Sequence, residues 1–333
     1  MKKASNKSIF ALFSLFILGY CSGIVPVQSQ SSVLQSGIWY KVAVEKNGVY
    51  KIDQSLFKKM GFDPSKTDPR NIKIYGNPGG MLPQANSSPR PSDLIENAIY
   101  VEGESDGAFN AGDYILFYAQ GPDKIFFNQA KGIFSYEKNL YADKNYYFIT
   151  VGESIGKRID TSENIAGSFP VVDQFENFTY YELDQHSELK SGRQWYGEQF
   201  DLTLELTKTL NVSGVVPGST MKLVSAVMAQ SFTGASFNVF INGNQVLQQP
   251  VASVPNALYA IKGRERSDTV SINANNVSAP GRSSQELKYQ YVKSGSGTSR
   301  GYLDYFLLQA TQQLVLSGQQ MSFRSMESLS NPV

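Results

Sequence analysis

Phe237-Asn238-Val239-Phe240-Ile241-Asn242-Gly243-Asn244 decides the fold class. Apolar Phe237, Val239 and Ile241 alternate with Asn238 and Phe240, the two-residue period of a strand with one face buried. Asn242-Gly243 then offers two residues that tolerate positive φ, which is what a tight hairpin turn demands. The same grammar recurs over the second half of the chain. Strands are expected at Thr179–Leu183, Phe200–Thr209, Thr220–Met228, Ser236–Ile241, Leu258–Ile261, Thr269–Asn273, Leu287–Val292 and Tyr302–Gln309, at sandwich-like spacing. In the last of these, Leu303, Tyr305 and Leu307 are expected on one face, with Asp304 and Phe306 on the other. Two half-apolar sheets must cover each other, so a jelly-roll-like β-sandwich over residues 166–333 is the expectation.

Residues 30–165 read as a smaller β-rich domain. Trp39–Val44 and Val49–Ile52 flank Asn47-Gly48 and suggest a hairpin. Asp53 is placed to cap a short helix whose Leu56, Phe57 and Met60 share a face, with Gly61 as its stop. Further strands are expected at Asn71–Tyr75, Ala98–Val101, Tyr114–Tyr118 and Tyr146–Val151. The expected class is therefore all-β, mainly antiparallel, with one short helix.

Composition narrows the function. The 333 residues carry 30 Lys and Arg against 29 Asp and Glu, a net charge of +1, so no field of either sign favours a nucleic-acid partner. Charged residues make up 18% of the chain and aromatics 12%. Lys2, Lys3 and Lys7 precede an apolar run from Ile9 to Tyr20, and Val27-Gln28-Ser29 supplies a processing site, the pattern of a secretory signal over residues 1–29. The run is shorter than the ~20 residues a membrane span needs. Cys21, the single cysteine, follows Leu18-Gly19-Tyr20 in a lipoprotein-like outline, but bulky Tyr20 stands where a small residue is needed. Its loss with the leader would leave no thiol for a disulfide, a nucleophile or a metal.

No pattern of catalytic residues emerges. His186, the single histidine, sits in Glu182-Leu183-Asp184-Gln185-His186-Ser187-Glu188. An acid–base site competes there with a polar loop at a domain edge, and the loop is the commoner case. Glu182, Asp184 and Glu188 imitate a glycosidase carboxylate pair, but nothing else marks a sugar cleft. The loop Glu102–Asp113 is rich in oxygen ligands, yet its spacing departs from the regular calcium loop, so an Asp/Gly turn bonding its own backbone is favoured. Asp268-Thr269-Val270 has the short form on which some Bacteroidetes-type bacteria place O-linked sugars, a weak signal inside a strand. No cofactor motif is present: no phosphate-binding glycine loop and no helical histidine pair. The densest cluster is Ser191-Gly192-Arg193-Gln194-Trp195-Tyr196-Gly197-Glu198. Arg193, Trp195, Tyr196 and Glu198 form either a binding hot spot or a domain-joining corner, with Trp195 as a buried plug and Arg193 paired to Glu198.

Several stretches together resemble a known family. They are Gly37–Lys41, Asn47–Ile52, Asp68-Pro69-Arg70-Asn71-Ile72-Lys73-Ile74-Tyr75-Gly76-Asn77, Asp93–Asn97, Gly112–Tyr118, Glu137–Tyr141, Ser191-Gly192-Arg193 with Trp195–Glu198, and Tyr302-Leu303-Asp304-Tyr305. In that order they resemble the N-terminal region of the PorU-like sortases of the type IX secretion system, which are gingipain-like cysteine peptidases. The resemblance implies a protein exported to the outer-membrane surface of a Gram-negative, Bacteroidetes-type bacterium. It implies secretion-system components as partners, and cargo that loses its C-terminal sorting domain and is joined to lipopolysaccharide. That chemistry uses a Cys–His pair in a peptidase domain, which is expected to be absent from this chain because it ends at Pro332-Val333. No catalytic, metal or cofactor residue is carried over. The competing class is a stand-alone surface adhesin or carbohydrate-binding β protein.

Overall fold

The computed structural model describes residues 31–162, 167, 169, 171–188, 192, 194–316 and 318–326. The expected leader, Cys21 and Arg193 lie outside the described residues. In chain order the strands are β1 (Tyr40–Val44), β2 (Gly48–Asp53), β3 (Ile72–Tyr75), β4 (Glu96–Asn97), β5 (Tyr100–Glu102), β6 (Tyr114–Ala119), β7 (Lys124–Asn128), β8 (Ile133–Glu137) and β9 (Asn145–Val151). The second half adds β10 (Gln174–Glu182), β11 (Gln199–Phe200), β12 (Glu205–Leu210), β13 (Thr220–Ser231), β14 (Ala235–Ile241), β15 (Asn244–Val251), β16 (Arg264–Asn273), β17 (Gln285–Lys293) and β18 (Ser299–Gln313). One α-helix, α1 (Gln54–Lys59), follows β2. The fold is all-β with antiparallel ladders and a minor helical element.

The first region holds a four-stranded sheet, β1-β9-β3-β4, and a three-stranded sheet, β2-β6-β5. Val44, Ile72, Ile74, Tyr147 and Ile149 from the first sheet pack on Ile52, Ile115 and Phe117 from the second. Asp53 caps α1 as expected, its carboxylate accepting from the Leu56 N–H at 2.8 Å. Phe57 is fully buried, stacked on Phe62, whereas Leu56 is 40% exposed and does not share its face.

The Asn47-Gly48 hairpin does not form: β1 pairs with β9 and β2 with β6. Neither Asn47 nor Gly48 has the positive φ that the tight turn needs. The Asn47 side chain instead accepts from the Gly121 N–H at 2.7 Å, and the chain passes from one sheet to the other. The neighbouring Gly76–Gly80 turn is packed as tightly. A Cβ on Gly79 would lie 2.0 Å from the Gly121 carbonyl oxygen, which is backbone and cannot rotate away. Gly79→Ala should therefore lower stability by about 1–3 kcal/mol, read from the urea midpoint at unchanged m-value.

In the second region β10-β18-β13-β16, with β11 on β18, form a five-stranded sheet, and β12-β17-β14-β15 form a four-stranded one. They share one core, in which Leu223, Val227, Leu303, Phe306 and Leu308 meet Phe237, Val239, Tyr289 and Tyr291. Asn242 and Gly243 both take positive φ between β14 and β15, the hairpin read from the sequence. A buried polar chain ties the two sheets. The Tyr289 hydroxyl donates to Ser225 Oγ at 2.9 Å, which donates to Gln249 Oε1 at 2.7 Å; Gln249 Nε2 reaches Asp268 at 3.1 Å. Each of these buried polar groups is satisfied, so the network costs no unpaired desolvation. Arg266 pairs with Asp268 at 2.6 Å, and Thr269 is exposed within β16.

β18 departs from simple alternation. Tyr305 pairs with Ala226 but Leu303 pairs with Val227, so Asp304 is an extra residue opposite no partner. This bulge moves the phase by one. Leu303 faces the core, and so do Phe306, Leu308 and Ala310, while Leu307 packs on the opposite face. The expected grouping of Leu303 with Tyr305 and Leu307 is overturned for that reason. Three other expectations change. Phe200–Thr209 splits into β11 and β12, β15 appears where none was expected, and Leu258–Ile261 is no strand. In that last stretch local bonds replace a ladder: the Ala260 N–H donates to the Ala257 carbonyl at 3.2 Å, just after Pro255.

The β7–β8 hairpin joins the two regions. Its Ile133 and Phe134 lie on the outer face of the five-stranded sheet against Leu307, with Phe134 stacked 5.0 Å from Phe178. Arg324 lies over both Phe134 and Phe178, and Gln320 accepts from the Val49 N–H at 2.7 Å, so residues 318–326 touch both regions.

Candidate docking site

The hairpin covers one end of that outer face; in the segment that follows β10, the described residues 184–188 and 194–198 cover the other. The segment closes on itself, His186 N–H to Tyr196 C=O at 2.9 Å and Tyr196 N–H to His186 C=O at 2.8 Å. It then joins β18, with Gly197 N–H donating to Leu303 C=O at 2.7 Å and Leu303 N–H to Glu198 C=O at 3.0 Å. A Cβ on Gly197 would stand 3.2 Å from the Leu303 oxygen, so glycine allows the close approach.

Tyr196 is thereby set on Met228 and Tyr302. Its hydroxyl donates to Glu265 Oε1 at 2.5 Å, an oxygen that also accepts from the Gln194 amide. The Tyr302 hydroxyl donates to Glu188 Oε1 at 2.5 Å. Glu188, Gln194, Tyr196, Met228 and Glu265, with Lys262 and the Leu258–Ile261 loop, line a cleft of about 530 Å³. Glu198 faces away: Lys208 reaches it at 2.6 Å and the Tyr181 hydroxyl also donates to it. Burial disfavours its charge, but those two donors outweigh burial and hold its pKa below the ordinary carboxylate value. Trp195 is 41% exposed, so it is not a buried plug, and Glu198 is paired to Lys208. Of the four residues singled out in the sequence, the structure brings Tyr196 to the cleft and turns Glu198 toward Lys208; Arg193 lies outside the described residues.

Between hairpin and segment the outer face is acidic. Asp304, in the bulge, has no hydrogen-bond partner among the described residues, and burial pushes its carboxyl up to about 7, reinforced by Glu182, Glu265 and Asp184. Burial raises Glu182 as well, against the opposing hydrogen bond that Tyr180 donates at 2.6 Å. Asp184 pairs with Lys138, which follows the hairpin, so this ion pair also joins the two regions.

The described residues hold no catalytic grouping here. The His186 ring stands 5.6 Å from that of Tyr302, and buried Ser187 Oγ has no hydrogen-bond partner, so no Ser–His dyad exists here. Glu182, Asp184 and Glu188 are committed separately to Tyr180, Lys138 and Tyr302. Among the described residues there is no cysteine, and no group of three or more His, Cys, Asp or Glu side chains is placed to hold a metal ion. In the Glu102–Asp113 loop two acids bond locally, Asp113 accepting from Asn110 N–H at 2.6 Å and Asp106 from Ala108 N–H at 2.9 Å, while Glu104 pairs with distant Arg158 at 2.8 Å. Sequence reasoning missed Glu265, Met228 and the Leu258–Ile261 loop as site residues. The available signal was Asp304, a carboxylate interrupting an apolar strand.

No family model matches the sequence, and no curated protein matches it. Among solved structures, dimeric latent PorU from Porphyromonas gingivalis superposes on 91% of this chain with a TM-score of 0.71 at 23% identity. The chain has the fold of that part of PorU. It spans 26% of the solved PorU chain, about a quarter of its length. The VP2 subviral particle of infectious bursal disease virus aligns with 89% of this chain and 78% of its own at 13% identity, with a TM-score of 0.26. The PorU-like extent includes both regions, and the cleft between Tyr196 and the Leu258–Ile261 loop lies on the second.

Proposed function

We propose that this chain is the non-catalytic N-terminal portion of a PorU-like sortase of the type IX secretion system. The observation that carries the reading is the agreement with PorU over nine-tenths of this chain at a TM-score of 0.71. On this reading residues 1–29 are a secretory signal, 30–165 a β-rich domain and 166–333 a jelly-roll-like sandwich. The mature chain sits on the outer-membrane surface. It supports a peptidase domain that removes the C-terminal sorting domain of cargo and attaches the cargo to lipopolysaccharide, and it docks to secretion-system components. The exposed segment around Trp195, with Arg193, Tyr196 and Glu198, belongs to the interface or to the joint between domains. Sedimentation of the purified chain with a separately produced peptidase domain of a PorU-like sortase should give a 1:1 complex. Two independent boundaries at about 100 µM of each, far above the Kd of a stable interface, would reject the reading.

A second reading has its own observation. Tyr100 and Tyr118, 44% and 54% exposed, stand with Tyr114 on the outer face of the three-stranded sheet. A stand-alone adhesin or carbohydrate-binding protein would use such side chains, and glycan-array binding lost on Tyr118→Ala would select it.

A further inference from the structure

The cleft beside Tyr196 combines two features that ordinary surface does not. The first is apolar exposure. Leu258 is 77%, Tyr259 96% and Ile261 51% exposed, on one short loop that has no ladder to bury them. Large apolar side chains grouped in this way mark an interaction surface. The second is an excess of negative charge among the described lining residues, Glu188 and Glu265 against Lys262. Glu188 and Glu265 each use one carboxylate oxygen for a tyrosine hydroxyl, and neither is in an ion pair among the described residues. One described cation, Lys262, also lines the cleft and offsets part of that charge. Lys262 donates to the Leu258 carbonyl at 2.8 Å, Arg264 to the Ser253 carbonyl at 2.9 Å, and Arg266 pairs with Asp268.

We propose that this cleft binds a short peptide segment of a partner protein in which lysine or arginine alternates with apolar residues. The apolar side chains would cover Leu258, Tyr259 and Met228, and the cations would reach the free oxygens of Glu188 and Glu265. A neutral glycan fits less well, because it brings no charge to two carboxylates and its hydroxyls would be laid on aliphatic Leu258 and Ile261. The proposal deepens the docking role and rests on it for the existence of a partner. It does not use the sortase assignment, and it fails separately from the sedimentation experiment, which probes the peptidase domain.

The test is calorimetric titration of the purified chain with a capped hexapeptide that alternates lysine and leucine. Saturation is expected at about 10–100 µM, weakening as salt rises from low to physiological levels. The paired change Glu188→Gln with Glu265→Gln should weaken binding about tenfold or more. Leu258→Ser, at an exposed position outside the core, should weaken it several-fold and keeps the test valid if the paired change unfolds the segment. Any of four results overturns the proposal: no saturation by 1 mM peptide, equal affinity for the glutamate-for-lysine peptide, affinity unchanged by both sets of changes, or cellohexaose competing for the same cleft.

Discussion

Phe306→Ala is expected to cost about 3–5 kcal/mol of stability, while Tyr305→Ala, one residue earlier, costs about 1 kcal/mol. The contrast follows from the bulge at Asp304. Phe306 is fully buried between the two sheets, stacked 5.1 Å from Tyr181 with the tilted Tyr289 ring at 6.3 Å, and removing its ring leaves a cavity that rigid strands cannot close. Tyr305 lies on the outer face beside Tyr180 at 5.6 Å, half-buried, where solvent can replace the lost ring. Uninterrupted alternation from Leu303 predicts the reverse order. Urea denaturation of both variants decides between them, and equal costs would remove the bulge from the account.

Asp304→Asn should raise stability at pH 8 by about 2 kcal/mol and leave it nearly unchanged at pH 4. The folded carboxyl titrates at about 7, raised by burial and by Glu182, Glu265 and Asp184, against about 4 in an unfolded chain. Between those values the folded state holds a proton that the unfolded state has lost. Stability therefore falls as pH rises across that window, and the full cost is present above about pH 7. Three pH units would amount to about 4 kcal/mol, and solvent screening of a partly exposed group halves it. Lys138 faces the same cluster but is held by Asp184, so it does not neutralise Asp304. The difference between wild type and variant in urea midpoints at pH 4, 6 and 8 isolates this group from Glu182, which titrates in the same direction. A variant that is less stable at pH 8 would show that the carboxylate is compensated.

The elements that could be read in advance are those whose signal is local. The Asn242-Gly243 turn, the Asp53 cap and the alternation of β14 each rest on a few adjacent residues, and each is found where the pattern put it. Asn47-Gly48 carries the same turn signal, but a distant partner, the Gly121 amide, draws Asn47 away and no hairpin forms. The bulge was illegible for a similar reason. Nothing in Leu303-Asp304-Tyr305-Phe306 says that one residue will be left without a partner on β13, because that depends on a strand nearly eighty residues earlier. The site shows the same division. Tyr196 stood out through its neighbours in sequence, whereas Glu265 and Met228 come from β16 and β13 and join it only through the sheet. Leu258–Ile261 looked like a strand by apolar content, and its exposure becomes visible only once the loop is seen without a ladder.

On the proposed reading, this chain docks and supports but performs no peptide chemistry. Intact-mass spectrometry of a cargo protein bearing its C-terminal sorting domain, incubated with the purified chain alone, tests it most directly. The account predicts a single unchanged cargo mass at every time point, with cleavage appearing once a PorU-like peptidase domain is added. A shortened or lipopolysaccharide-linked cargo in the first incubation would contradict it.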